Sequence, residues 1–200
     1  MQTTKIPGPA GLLEAKLSPG DRNVWAILCH PHPLYGGSMD DAVLDVAHTR
    51  LKAAGGCTVA FNFRGVGSSE GHHDGGTGEI DDVAAVADWL ESRYTVDALT
   101  LIGYSFGSSV AWRALQRLVR PTPAILIAPP FGGMAYPPID GATGAVVVGD
   151  QDPFVDREVL DQWLAGQAGM RHIAIPDADH FLAHEHEALA AALDEAISPL

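Results

Sequence analysis

The chain has 200 residues, 46% of them hydrophobic, which is enough for one domain with its own core across residues 1–200 and leaves little for a second. Its 12 basic side chains against 25 acidic ones leave a formal charge of −13. That charge argues against nucleic acid or an anionic membrane as partner and suits a small, neutral or weakly charged ligand. The first nine residues lack the basic start and apolar run of a signal peptide, and no stretch nears a membrane-spanning length, so a cytoplasmic protein is expected. Cys29 and Cys57 lie in apolar, strand-like segments and read as buried, reduced thiols.

In chain order, residues 12–17 alternate in polarity and predict an antiparallel strand at the edge of a sheet. Near-continuous apolar runs then predict strands at 24–29, 57–61, 98–102, 124–128, 145–148 and 172–175, each buried on both faces. Helical spacing of apolar positions predicts helices at 39–54, 79–94, 108–120, 156–167 and 181–197. Ser38-Met39-Asp40-Asp41 and Thr77-Gly78-Glu79 read as helix starts with carboxylates in the first turn. The alternation implies βαβ units and a mostly parallel sheet. Two Gly- or Pro-rich loops are long for a compact domain, 64–78 and 129–144, and long loops often carry function.

Gly103-Tyr104-Ser105-Phe106-Gly107 joins the 98–102 strand to the helix that follows. In that setting Gly-x-Ser-x-Gly is a nucleophile elbow: the serine takes a strained position, and the glycines let strand and helix approach closely. An alcohol is a weak nucleophile at neutral pH and needs a base, with a third group to orient the base. Asp152, in the turn after the 145–148 strand, and His180, after the 172–175 strand, supply both in the order Ser, acid, His. Asp150 and Asp156 are the competing acids. The Phe106 N–H, at the helix start, is the first candidate donor to an oxyanion.

The nine histidines do not fall at the usual zinc spacings. His30 and His32 flank a proline, and His184 and His186 point to different faces of a helix. His72 and His73 read as solvent-exposed loop residues. Gly65-Val66-Gly67 fails as a nucleotide loop because the third glycine position holds Glu70 and no P-loop lysine is present. Arg64 is expected to tie that loop to nearby carboxylates or carbonyls. Asp74 and Glu79 read as solvated loop and cap residues, with substrate contact as the alternative. Trp25, Trp89, Trp112 and Trp163 read as packing residues.

These segments together resemble the α/β-hydrolases. More narrowly, they are similar to small lidless members with a His-Pro-His-Pro-x-x-Gly-Gly segment, here His30 to Gly37. Asn62-Phe63-Arg64-Gly65-Val66-Gly67-Ser68-Ser69-Glu70-Gly71, the Ser105 elbow, the turn from Gly149 to Val155 and Asp179-His180-Phe181 carry the rest of the resemblance, which spans nearly the whole chain. It implies an α/β-hydrolase fold, a mostly parallel central sheet with helices on both faces and no cap domain, since the 129–144 interval is short. It also implies an open pocket, rimmed or underlain by Phe131, Met134 and Tyr136. By the family pattern Gly-x-x-Asp-x-x-Val the acid is Asp152, completing Ser105 and His180. A second oxyanion donor is implied in the loop after residue 29. Pro31 and Pro33 have no N–H, so it is His32 or Leu34, and the sequence leaves both open.

The function expected is hydrolysis of small short-chain carboxylic esters through an acyl-enzyme, with no metal or organic cofactor, in a monomer or homodimer. A thioesterase or short-peptide hydrolase is the rival within enzymes. The rival of another kind is a non-catalytic hydrolase-fold protein that binds a ligand in the same cleft.

Overall fold

A computed structural model describes residues 2–198. Eight strands form one sheet: β1 (Gln2–Gly8), β2 (Gly11–Ser18), β3 (Val24–Cys29), β4 (Cys57–Phe61), β5 (Ala98–Tyr104), β6 (Ala124–Ile127), β7 (Gly144–Gly149) and β8 (Met170–Ile175). Their order across the sheet is β1-β2-β4-β3-β5-β6-β7-β8. The β1–β2 and β2–β4 pairings are antiparallel and the rest parallel. This is the α/β-hydrolase fold with its mostly parallel sheet.

β2 is not the edge strand expected from residues 12–17. β1 lies outside it, paired along its length, and its one buried side chain, Ile6, left no apolar run to read. β8 is the opposite edge, where His172 and Ala174 face out, so it is not buried on both faces as its composition suggested. The central strands β4, β6 and β7 are buried at every residue.

The five helices are α1 (Ala42–Ala53), α2 (Gly78–Arg93), α3 (Phe106–Ala114), α4 (Arg157–Ala165) and α5 (His186–Ile197). α1 and α5 pack on one face through Leu44, Ala47, Leu189 and Leu193, against Ile125, Ile127 and Val147 of the sheet. α2 and α3 cover the other face through Val83, Val86, Val110 and Ala111. α4 joins that side through Leu160, beside Val146 and Val148.

Several helix boundaries move for local reasons. α1 starts at Ala42 because Asp41, not Ser38, caps it, accepting the N–H groups of Val43 and Leu44. The Thr77 side chain makes no cap bond; Asp74 takes the Gly78 N–H instead. α5 starts at His186 rather than residue 181. Asp179 captures the N–H groups of Phe181 and Leu182, and Leu182 has a φ of 53°, which stops a helix from forming there.

Segment 128–143 has no regular element, as expected. A tight turn at its start is closed by the N–H groups of Gly133 and Met134, both donating to the Pro130 carbonyl. Further along, the indole N–H of Trp112 donates to Pro137 and that of Trp163 to Tyr136. Phe131 and Tyr136 are thereby buried in the core, not on a rim. Cys29 and Cys57 are both buried and unpaired. Among the described residues, no helix is long and apolar enough to cross a membrane.

Candidate active site

The strand order reverses at β3, which lies between β4 and β5, so the loops after β3 and β5 diverge and leave a crevice at the carboxyl ends of the strands. Ser105 stands there, between β5 and α3, with φ 52° and ψ −118°. This is a strained conformation for a residue with a side chain, and it points the hydroxyl out of the turn. Both glycines of the motif are required by close approach. A Cβ on Gly103 would lie 2.3 Å from the Gly107 carbonyl oxygen, and one on Gly107 would lie 2.1 Å from that of Cys29.

β5, β7 and β8 each deliver one of the expected side chains to this crevice. Ser105 Oγ is 2.9 Å from His180 Nε2, and His180 Nδ1 is 2.8 Å from Asp152 Oδ2. A carboxylate can only accept, so Nδ1 carries the ring proton and Nε2 is left to accept from the serine. The Asp152 side chain is fully buried, and its other oxygen accepts the Phe154 N–H at 2.8 Å. The His180 carbonyl accepts the Tyr104 hydroxyl at 3.1 Å, which fixes the turn that carries the ring. Burial, reinforced by the charges of Asp41, Asp152 and Asp179, pushes the Tyr104 phenol upward, so it stays a donor. The competing acids lie elsewhere: Asp150 is exposed, and Asp156 caps α4 through the Val159 N–H.

The loop after β3 separates the two candidate donors. The Leu34 N–H is taken by the ring of His32 at 3.2 Å, within the short turn Pro33–Tyr35, whereas the His32 N–H has no acceptor among the described residues. His32 lines the pocket with Ser105 and His180; Leu34 does not. His30 controls the direction of that N–H. The Phe63 N–H donates to His30 Nε2 at 3.1 Å, so Nδ1 carries the proton and donates to the Pro31 carbonyl at 2.7 Å. In a trans peptide the C=O and N–H point opposite ways, so pinning the Pro31 oxygen aims the His32 N–H. His30 is completely buried, and burial pulls its pKa down from 6.5 to about 4, which keeps it neutral.

Loop 64–78 and the first turns of α2 brace this arrangement through buried carboxylates. Arg64 forms a two-pronged ion pair with fully buried Asp82, at 2.7 and 3.0 Å, and ties the loop to carboxylates as expected. Glu79 is buried rather than solvated: it accepts from His73 Nδ1 at 2.6 Å and from the N–H groups of Asp74 and Gly76. His73 is correspondingly not an exposed loop residue. Its ring lies against those of His32 and Phe106, with centroids 5.1 and 5.5 Å away.

A pocket of about 550 Å³ opens over Ser105. Met134 lines it as the sequence suggested, and so do Asp41, Tyr35, Phe154 and Phe181, which sequence reasoning did not assign to a pocket. Three of the four stand beside residues it did use, Tyr35 within the proline-rich segment, Phe154 after Asp152 and Phe181 after His180.

The alpha/beta hydrolase fold family matches residues 45–128, which include β4, β5, the Ser105 elbow and β6. Protein RP471 of Rickettsia prowazekii is 32% identical over 94% of this chain and 85% of its own. XC6422 from Xanthomonas campestris, described as an α/β serine hydrolase without lid, is 34% identical, with a TM-score of 0.91 over 99% of this chain and 94% of that one. The chain belongs to the α/β-hydrolase family. A serine hydrolase homologue from Coxiella burnetii is 32% identical, with a TM-score of 0.90 over 98% and 97% of the two chains. Within this α/β-hydrolase, the short 128–143 segment agrees with the lidless description of the Xanthomonas protein.

Proposed function

We propose that this α/β-hydrolase is a serine esterase acting on small, short-chain carboxylic esters. The observation that carries the reading is the unbroken line from Asp152 through His180 to Ser105, at 2.8 and 2.9 Å, ending in an open pocket.

Ser105 Oγ attacks the ester carbonyl while His180 Nε2 takes the serine proton, and Asp152 stabilises the imidazolium that results. The oxyanion accepts hydrogen bonds from the Phe106 N–H, which has no carbonyl behind it in the helix, and from the His32 N–H. His180 then returns the proton to the departing alcohol, leaving an acyl-Ser105. Water, deprotonated by the same imidazole, attacks that carbonyl, and the acid leaves as Ser105 recovers its proton. Each donor contributes about 2.7–4 kcal/mol of transition-state stabilisation.

Brief exposure to a fluorophosphonate, followed by intact mass measurement, tests this without choosing a substrate. The native chain is expected to gain one adduct, absent from Ser105→Ala and formed much more slowly on His180→Ala. No adduct on a folded native chain would overturn the reading and favour a binding role for the cleft. Ester, thioester and amide substrates sharing one acyl group then test the choice of bond.

A further inference from the structure

One side chain that lines the pocket over Ser105 carries a formal charge at neutral pH, Asp41; no lysine or arginine lines it among the described residues. Asp41 Oδ1 is occupied in capping α1, accepting from Val43 and Leu44 at 2.9 and 3.4 Å. Oδ2 has no hydrogen-bond partner among the described residues. No partly or fully buried side chain among the described residues has an oxygen that is both sealed from solvent and unpartnered, so Oδ2 is open to solvent, on a residue that borders both this pocket and a smaller cavity beside α1. The cap leaves half of the carboxylate free, and burial raises its pKa, as expected for a charge with no cation beside it.

The rest of the pocket suits a particular kind of charge. Tyr35, Phe154 and Phe181 line it while remaining 88%, 53% and 61% exposed, so three large rings stand at its mouth, each against a histidine of the site, Tyr35 beside His32 and the two phenylalanines beside His180. Tyr104 lines it further in. Aromatic faces carry negative potential and attract desolvated cations, and the net charge of −13 adds a field of the same sign over the whole molecule. An anionic substrate would meet an unpaired carboxylate, whereas a cation would neutralise it.

We propose that the pocket selects esters bearing an alkylammonium or quaternary ammonium group, held by Asp41 and the rings of Tyr35, Phe154 and Phe181 while the carbonyl lies at Ser105. This rests on the esterase reading above and adds the substrate class. Asp41 and the rings act on binding, and the bond-breaking steps are unchanged.

Two matched pairs of esters test it. In one, butyrylcholine is set against its uncharged isostere, in which tert-butyl replaces trimethylammonium. In the other, the same exchange is made on the acyl side, in an ethyl ester. On the native chain, kcat/KM should favour the cationic member of at least one pair by about tenfold, and the preference should shrink as salt is added. In Asp41→Asn the ratio should fall several-fold, leaving the smaller share contributed by the rings. Asparagine caps helices as well as aspartate does, so this variant keeps the start of α1. Phe154→Leu should reduce the ratio in part.

Equal rates within both pairs would overturn the proposal while leaving the esterase standing, and a preference undiminished in Asp41→Asn would overturn the role given to Asp41. If no ester is turned over and no fluorophosphonate adduct forms, the esterase reading has failed instead. Calorimetric binding of the same pairs to Ser105→Ala then decides the ammonium site alone: tighter binding of the cation upholds it, and equal binding removes it.

Discussion

His30 links acid stability to the loop after β3, and the size of the effect follows from its burial. Its imidazole is neutral in the folded chain, with a pKa of about 4 against 6.5 when unfolded. The unfolded chain therefore takes up this proton first as the pH drops. The stabilisation is fully present above 6.5 and is lost as the pH falls through 6.5 towards 4, with no further loss from this group below. A shift of this size corresponds to about 3 kcal/mol, most of which is gone by about pH 4.5. His30→Gln removes the titration yet keeps a donor for the Pro31 carbonyl and an acceptor for the Phe63 N–H. Urea unfolding at about pH 7.5 and about pH 4.5 should show the native chain losing about 2–3 kcal/mol more than the variant. Other histidines with lowered pKa, such as His48 and His172, are common to both chains and cancel in the comparison. Equal losses would refute the reasoning and mean that His30 is solvated or protonated near pH 6.

The second oxyanion donor can be tested on the backbone. His32 has φ −59°, which proline adopts without strain, so His32→Pro deletes the N–H and His32→Ala keeps it. The proline variant should have a kcat about 100- to 1,000-fold below the alanine variant on the same ester; equal values would return the role to Leu34. Asp82→Ala leaves the partly buried Arg64 guanidinium with only the longer contact to Asp74, at 3.9 Å, and should cost about 3 kcal/mol in urea unfolding. Replacing both Arg64 and Asp82 by apolar residues should cost less than that single change. Gly107→Ala should prevent stable folding, seen as loss of a cooperative thermal transition, because its Cβ would lie 2.1 Å from a backbone oxygen that cannot move aside.

The parallel strands were legible in the sequence because burial on both faces writes a continuous apolar run, and β3 and β4 fall where those runs begin and end. β1 was not, since it buries only Ile6 and owes its existence to pairing with β2. Ser105, Asp152 and His180 could be picked out because each follows a strand, and a strand end fixes where the next residues stand in space. The supports were hidden for the complementary reason. Glu79 reads as a helix-start carboxylate; His73, only six residues earlier, reaches it through a loop whose path no pattern in the sequence gives, and packing against α3 keeps the pair from water. Asp41 likewise showed its capping role, which is local, and not the pocket it borders, which is built by residues up to Phe181.

The turn after β6 holds a last consequence. Gly132 and Gly133 are exposed at its tip, where Gly133 and Met134 meet the pocket, while Phe131 on one side and Tyr136 on the other are sunk in the core. Extra chain spliced between the two glycines would emerge over Ser105 from a stem already anchored on both sides. A cover for the pocket could thus be gained or shed by a change in length at this one hinge, with sheet, helices and reacting side chains left as they are. Access to the serine and the making of the serine are separately adjustable in this architecture.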